Sequence, residues 1–148
     1  MPKSAMTAED RLDIFDLFAR YAWAYDCGDA QAYAGVFTDD GLLSDQGALH
    51  AVGRKAIAQA IQVFFDQRGV NAWQHHNDHL RIEGAGEACT VHSYWLLAEF
   101  NRQSSEHLLR AMGWYVTHCR KVDGRWLIAE RVFHFETPQG LPPGLPTG

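Results

Sequence analysis

From about residue 70 onward, the sequence leaves little room for helix. "AWQHHNDHLRIE" runs into the turn "GAGE", "ACTVHSYWLLAEF" into polar "NRQSSE", "HLLRAMGWYVTHCRK" into "VDG", and "RWLIAERVFHFE" follows. These are four long stretches rich in β-branched and aromatic residues, joined by short Gly- or Ser-containing links of the kind hairpins use. Before residue 70 the pattern is different. Ile14, Leu17, Phe18, Tyr21, Ala22 and Tyr25 recur at the spacing of one apolar helix face. Thr7 and Asp10 stand where a helix cap belongs, and Gly28 where the helix should stop. "DAQAYAGVF" reads as a short second helix, "TDDG" as a turn, "LLSDQG" as the start of a brief strand and "GRKAIAQAIQVFFDQRG" as a third helix with Ile57, Ile61, Phe64 and Phe65 inward.

Helices first and hairpin-linked strands afterwards predict an α+β domain, a curved antiparallel sheet covered on one face by the N-terminal helices. A strongly curved sheet closed by a helix makes a cone around an apolar pocket, and the end of the long first helix reaches the pocket's mouth. Residues 1–137 read as this single domain. Residues 138–148, "PQGLPPGLPTG", read as a Pro/Gly-rich tail that cannot extend a sheet and is loosely ordered.

Composition narrows the partners. A formal net charge of −5 without a cluster of Lys or Arg argues against nucleic acid and against an anionic membrane surface. No stretch approaches the apolar length of a membrane span. Three cysteines without a CxxC spacing make neither a disulfide framework nor a structural zinc site, and "MPKSAMTAEDRLD" holds no apolar run of leader length. A cytoplasmic protein is the expectation. Aromatic residues make up 12% of the chain and supply the walls of a pocket for a small hydrophobic molecule.

The chemistry concentrates in two places. Tyr21 and Tyr25 share a face of the first helix, and Asp26 ends it, where a carboxylate opposes the helix dipole and therefore needs a reason. The second is "QHHNDH": on a regular strand His75, Asn77 and His79 share one face, His76 and Asp78 the other. Same-face residues on one strand lie too far apart for a compact tetrahedral metal centre, so no metal is expected. One of these histidines opposite a carboxylate makes an acid–base pair instead. Which of His75, His76 and His79 faces the pocket is open on periodicity alone. Arg131 is in phase with Leu127, Ala129 and Phe133, and an inward guanidinium there calls for a carboxylate or an anionic substrate. Tyr115 is a further strand residue of the same kind, and Asp45 in "LLSDQG" stands near the pocket mouth. Hydrolase-elbow, P-loop and dinucleotide fingerprints are absent.

Three segments together, "RYAWAYDCGDAQAYAGVFTDDG", "HHNDHLRIE" and "GWYVTHCRKVDGRWLIAER", resemble the SnoaL-like branch of the nuclear-transport-factor-2-like superfamily over about residues 8 to 136. The resemblance implies the cone fold. Scytalone dehydratase and hexachlorocyclohexane dehydrochlorinase, within that superfamily, pair a helix-end Asp with a strand His, and Asp26 and His75 match them. It implies a catalytic set of Asp26, His75 and Tyr21, beside Tyr25 and Asp45, and no cofactor; Tyr25, Asp45, Tyr115 and Arg131 are expected to bind substrate, the last two from their places on the strands.

The activity implied is a dehydratase-like elimination on a small hydrophobic carbonyl compound. An isomerase or cyclase using Asp45 and Tyr21 is the alternative, and a non-catalytic binder or dioxygenase-type small subunit the third reading. Homo-oligomers, dimeric or trimeric, are expected. The match to these relatives is partial: "RAMGW" has no second histidine, and Arg20 and Tyr21 stand where the dehydrochlorinase has a lysine.

Overall fold

Thr7 begins the first helix as the spacing predicts. Its hydroxyl accepts from the Asp10 amide at 3.0 Å while the Asp10 carboxylate accepts from the Thr7 amide at 3.1 Å. This capping box satisfies donors that the first turn leaves free. Helix α1 then runs Ala8–Asp26, and its apolar stripe carries Ile14 and Leu17, both fully buried. Each such side chain contributes about 1.5–3 kcal/mol by leaving water. Past Cys27 the chain turns at Gly28, whose φ of +72° suits a residue without a β-carbon.

The computed structural model describes residues 5–137, so the expected tail at 138–148 lies outside the described residues. After α1 come α2 (Ala30–Gly35, capped by Asp29), β1 (Phe37–Ser44), β2 (His50–Val52) and α3 (Arg54–Arg68). Four long strands follow: β3 (Ala72–Ala85), β4 (Ala88–Asn101), β5 (Glu106–Val122) and β6 (Arg125–Phe135). They form one curved, unclosed sheet in the order β2-β1-β6-β5-β4-β3. The helices pack on its concave side, α1 across β3 and β6, so the α+β cone is the observed architecture.

Three details depart from the expectation. "TDDG" is not a turn: it lies inside β1, and a register shift between Phe37 and Leu42 takes up the irregularity there. The sheet is also not wholly antiparallel, because β1 pairs with β6 in parallel. That arrangement is open to β1 because α3 and the long strands intervene, as a parallel connection requires. Finally, the period-two count fails after Asp78. A bulge between Asp78 and Arg81, with His79 at a φ of +57°, turns His79 away from the face of His75. His79 is exposed, and its ring lies 5.7 Å from that of exposed Tyr94.

Candidate functional site

Helix α1 ends where β3 begins its inward-facing run, and this meeting makes the site. The Asp26 carboxylate accepts twice from His75: from the backbone amide at 2.9 Å and from Nδ1 at 2.6 Å. The His75 side chain is 6% exposed and that of Asp26 17%. An ionised carboxylate can only accept, so Nδ1 carries the proton of this contact, and in the neutral imidazole Nε2 is then the nitrogen with the lone pair.

The helix-end carboxylate has further support. Arg68, at the end of α3, donates from Nη1 to the carbonyl oxygens of Tyr25 and Asp26 at 3.2 and 3.0 Å. A cation on the last carbonyls of α1 offsets the negative end of its dipole.

His75 opens into a cavity of about 560 Å³. Tyr21, Tyr25, Tyr33 and Tyr115 stand on its wall with Trp73 and Trp95, and Leu43, Leu97 and Phe133 add apolar surface. The Tyr25 ring packs 4.1 Å from that of His75, centroid to centroid. Burial pushes the Tyr25, Tyr33 and Tyr115 hydroxyls well above the usual phenol range, and the neighbouring Tyr21 adds to each shift. These three phenols therefore stay neutral, which suits them to donating hydrogen bonds rather than to acting as bases. Tyr33 donates to Tyr21 at 2.7 Å.

Of the expected site residues, the structure brings Asp26 and His75 together and places Tyr21, Tyr25 and Tyr115 on the cavity wall. Asp45 and Arg131 are not on that wall. Asp45 Oδ1 accepts from the amides of Gly47 and Leu49 at 2.7 and 3.0 Å, holding the turn between β1 and β2. Arg131 is inward and fully buried, as its phase predicts, yet its partner is not a carboxylate. Its Cζ lies 4.2, 4.1 and 4.2 Å from the ring centroids of Phe18, Tyr21 and Tyr115, and Nε donates to Thr117 Oγ1 at 3.0 Å. Three electron-rich ring faces take the role expected of an anion.

Sequence reasoning passed over Tyr33, Gln67, Trp73 and Trp95, all on the wall. Tyr33 was within reach, because it recurs on the inward side of α2. The others depend on how far the sheet curves. Among the described residues, no group of three or more His, Cys, Asp or Glu side chains could hold a metal ion, and no helix is long and apolar enough to cross a membrane.

A helix-covered cone around an apolar pocket defines the class. The SnoaL-like domain profile matches residues 6–132, and the chain belongs to that family. Several solved structures share the fold. A Nostoc punctiforme protein of unknown function with a cystatin-like fold is 26% identical, with a TM-score of 0.75 over 90% of this chain and 96% of that one. A Catenulispora acidiphila protein in complex with S-DNPA is 24% identical, with a TM-score of 0.77 over 87% of this chain and 95% of that one. A putative aromatic ring hydroxylase from Novosphingobium aromaticivorans is 24% identical, with a TM-score of 0.75 over 90% of this chain and 93% of that one. No curated protein gives a significant sequence match.

Proposed function

We infer that the protein is a cofactor-independent lyase that removes water from a small hydrophobic β-hydroxy-carbonyl compound. The observation that carries this reading is the 2.6 Å contact between Asp26 and His75 Nδ1 beside an apolar cavity. His75 Nε2 takes the proton from the carbon next to the carbonyl. The released electron pair forms the carbon–carbon double bond as the bond to the β-hydroxyl breaks, and the imidazolium returns its proton to the departing hydroxide as water. Asp26 holds the tautomer and stabilises the imidazolium. A tyrosine hydroxyl on the wall, that of Tyr21 by its place in the resemblance, donates to the carbonyl oxygen as charge builds there. Positioned general-base catalysis of this kind contributes typically ~10²–10⁴ in rate.

Support also comes from the company the fold keeps, since one structural neighbour is in complex with the small molecule S-DNPA. The isomerase reading is weaker, because Asp45, its base, is engaged with two backbone amides. The test is incubation of the protein with a panel of cyclic β-hydroxy ketones, following the ultraviolet absorbance of the conjugated product. The reading expects water loss in wild type and its collapse in His75→Gln. Full water loss in His75→Gln with its collapse in Asp45→Asn would move the base to Asp45, and double-bond migration without water loss would replace the reading with the isomerase one. Ligand binding without turnover would leave a binding role.

A further inference from the structure

The ladder between β4 and β5 breaks at one residue. Leu97 pairs with Ala111 and Ala98 pairs with Leu109, so Arg110 is the extra residue of a bulge. A bulge re-aims a side chain. Here Arg110 and Ala111, consecutive in sequence, both stand on the cavity wall, which regular alternation forbids. Among the described wall residues, Arg110 is the one Lys or Arg. Its side chain is 52% exposed, so it sits where the cavity meets solvent.

Its surroundings hold it in place and leave part of it free. The guanidinium lies over the Trp73 ring, 5.6 Å from the centroid. Nη1 reaches both oxygens of Glu99 at the long distances of 3.4 and 3.3 Å. The Glu99 side chain is only 4% exposed and is itself fixed by the Trp73 indole, which donates to Oε2. Among the described residues, Arg110 Nε and Nη2 have no hydrogen-bond partner. That edge of the guanidinium fork matches a carboxylate.

We propose that Arg110 anchors the carboxylate of an acidic aromatic substrate, whose flat body fills the cavity with its reacting carbon toward His75. This rests on the elimination reading for the chemistry at His75, and it adds the substrate class: aromatic hydroxy-ketones bearing one remote carboxylate. A single planar anion fits better than a phosphate ester, because a second negative charge at this position faces Glu99. The bulge serves this purpose, since without it residue 110 would point to the convex side.

Calorimetric titration with 2-naphthoate and with its neutral isostere 2-naphthamide tests the assignment. Wild type should bind the acid about tenfold tighter than the amide, the scale of a charge-assisted hydrogen bond. Arg110→Gln should abolish the preference. The double variant Arg110→Gln/Glu99→Gln, which leaves no unpaired buried carboxylate, should do the same. Glu99→Gln alone should bind naphthoate severalfold tighter, because the competing carboxylate is gone. In His75→Gln the preference should persist, so a failed elimination assay and a failed anchor give different results. Equal affinity for the two probes in wild type, no naphthoate binding, a preference that survives in the double variant, or its loss in His75→Gln would each overturn the proposal.

Discussion

Arg68 and Asp26 are 42 residues apart in sequence, and the Arg68 Nη1 lies 3.0 Å from the Asp26 carbonyl oxygen. One helix end thereby steadies another, and the residue steadied is the one that orients His75. A β-carbon on Gly28 would come within 2.9 Å of Arg68 Nη2, so the contact also depends on a glycine in the turn. Arg68→Met keeps most of the packing against Phe65 and Trp73 while removing the donors. It should lower stability by about 1 kcal/mol in urea denaturation, with a severalfold loss of elimination rate from a looser Asp26. An unaltered rate would detach Arg68 from the site.

The hydroxyl pair of Tyr33 and Tyr21 is the second point of leverage. Tyr33→Phe removes the donor that meets Tyr21 at 2.7 Å inside an otherwise apolar wall. The expected cost is about 1 kcal/mol of stability. Tyr21→Phe should cost a similar amount of stability and in addition about tenfold or more in turnover. Parallel denaturation and steady-state kinetics separate the two, and equal effects on rate from both variants would assign Tyr21 no special role.

Much of this architecture is legible from residue order, but unevenly. The α1 stripe, the Thr7–Asp10 cap, the Gly28 stop and the hairpin turns depend on contacts within a few residues, so local pattern reveals them. Asp26 and His75 stood out as candidates by resemblance, while the choice among His75, His76 and His79 depended on a bulge that no alternation shows. The same limit hid the bulge that aims Arg110 at the cavity. The parallel pairing of β1 with β6 and the three-residue β2 are set by neighbours distant in sequence. Arg131 shows a subtler failure: its burial was readable from phase, but its aromatic cage is assembled from α1 and β5.

Acid should cost stability through Asp10. Hydrogen bonds from Lys121 at 2.8 Å and Trp126 at 2.9 Å, with those of Thr7, hold its carboxyl well below the usual carboxylate range. A carboxyl depressed in the folded state contributes stability that is present above its unfolded value of about 3.9 and is lost as the pH falls toward the folded one. Asp10→Asn should therefore flatten the dependence of the urea midpoint on pH below about 4. A wild-type-like slope in the variant would place the acid-sensitive carboxylate elsewhere. The partner Lys121, raised by the same contact, contributes stability that is full below its unfolded value and is lost only as the pH climbs through the folded one.

On the convex face, Tyr94, Leu96, Leu109 and Met112 are exposed on adjacent strands, with Leu96 paired to Met112. We expect copies of the chain to associate there, since a contiguous apolar patch of this kind marks an interface. Light scattering should give a small multiple of the 16.7 kDa chain mass. Leu96→Glu with Met112→Glu should return it to the monomer, and a double variant that still associates would move the interface elsewhere.

In the proposed elimination, Asp26 keeps His75 as a base with Nε2 free. The ¹⁵N spectrum of the His75 ring, recorded near neutral pH in wild type and in Asp26→Asn, addresses it most directly. A single Nδ1–H tautomer is expected in wild type and a mixture of tautomers in the variant, whose amide both donates and accepts. A wild-type ring protonated on Nε2 alone, or a tautomer indifferent to the mutation, would contradict it.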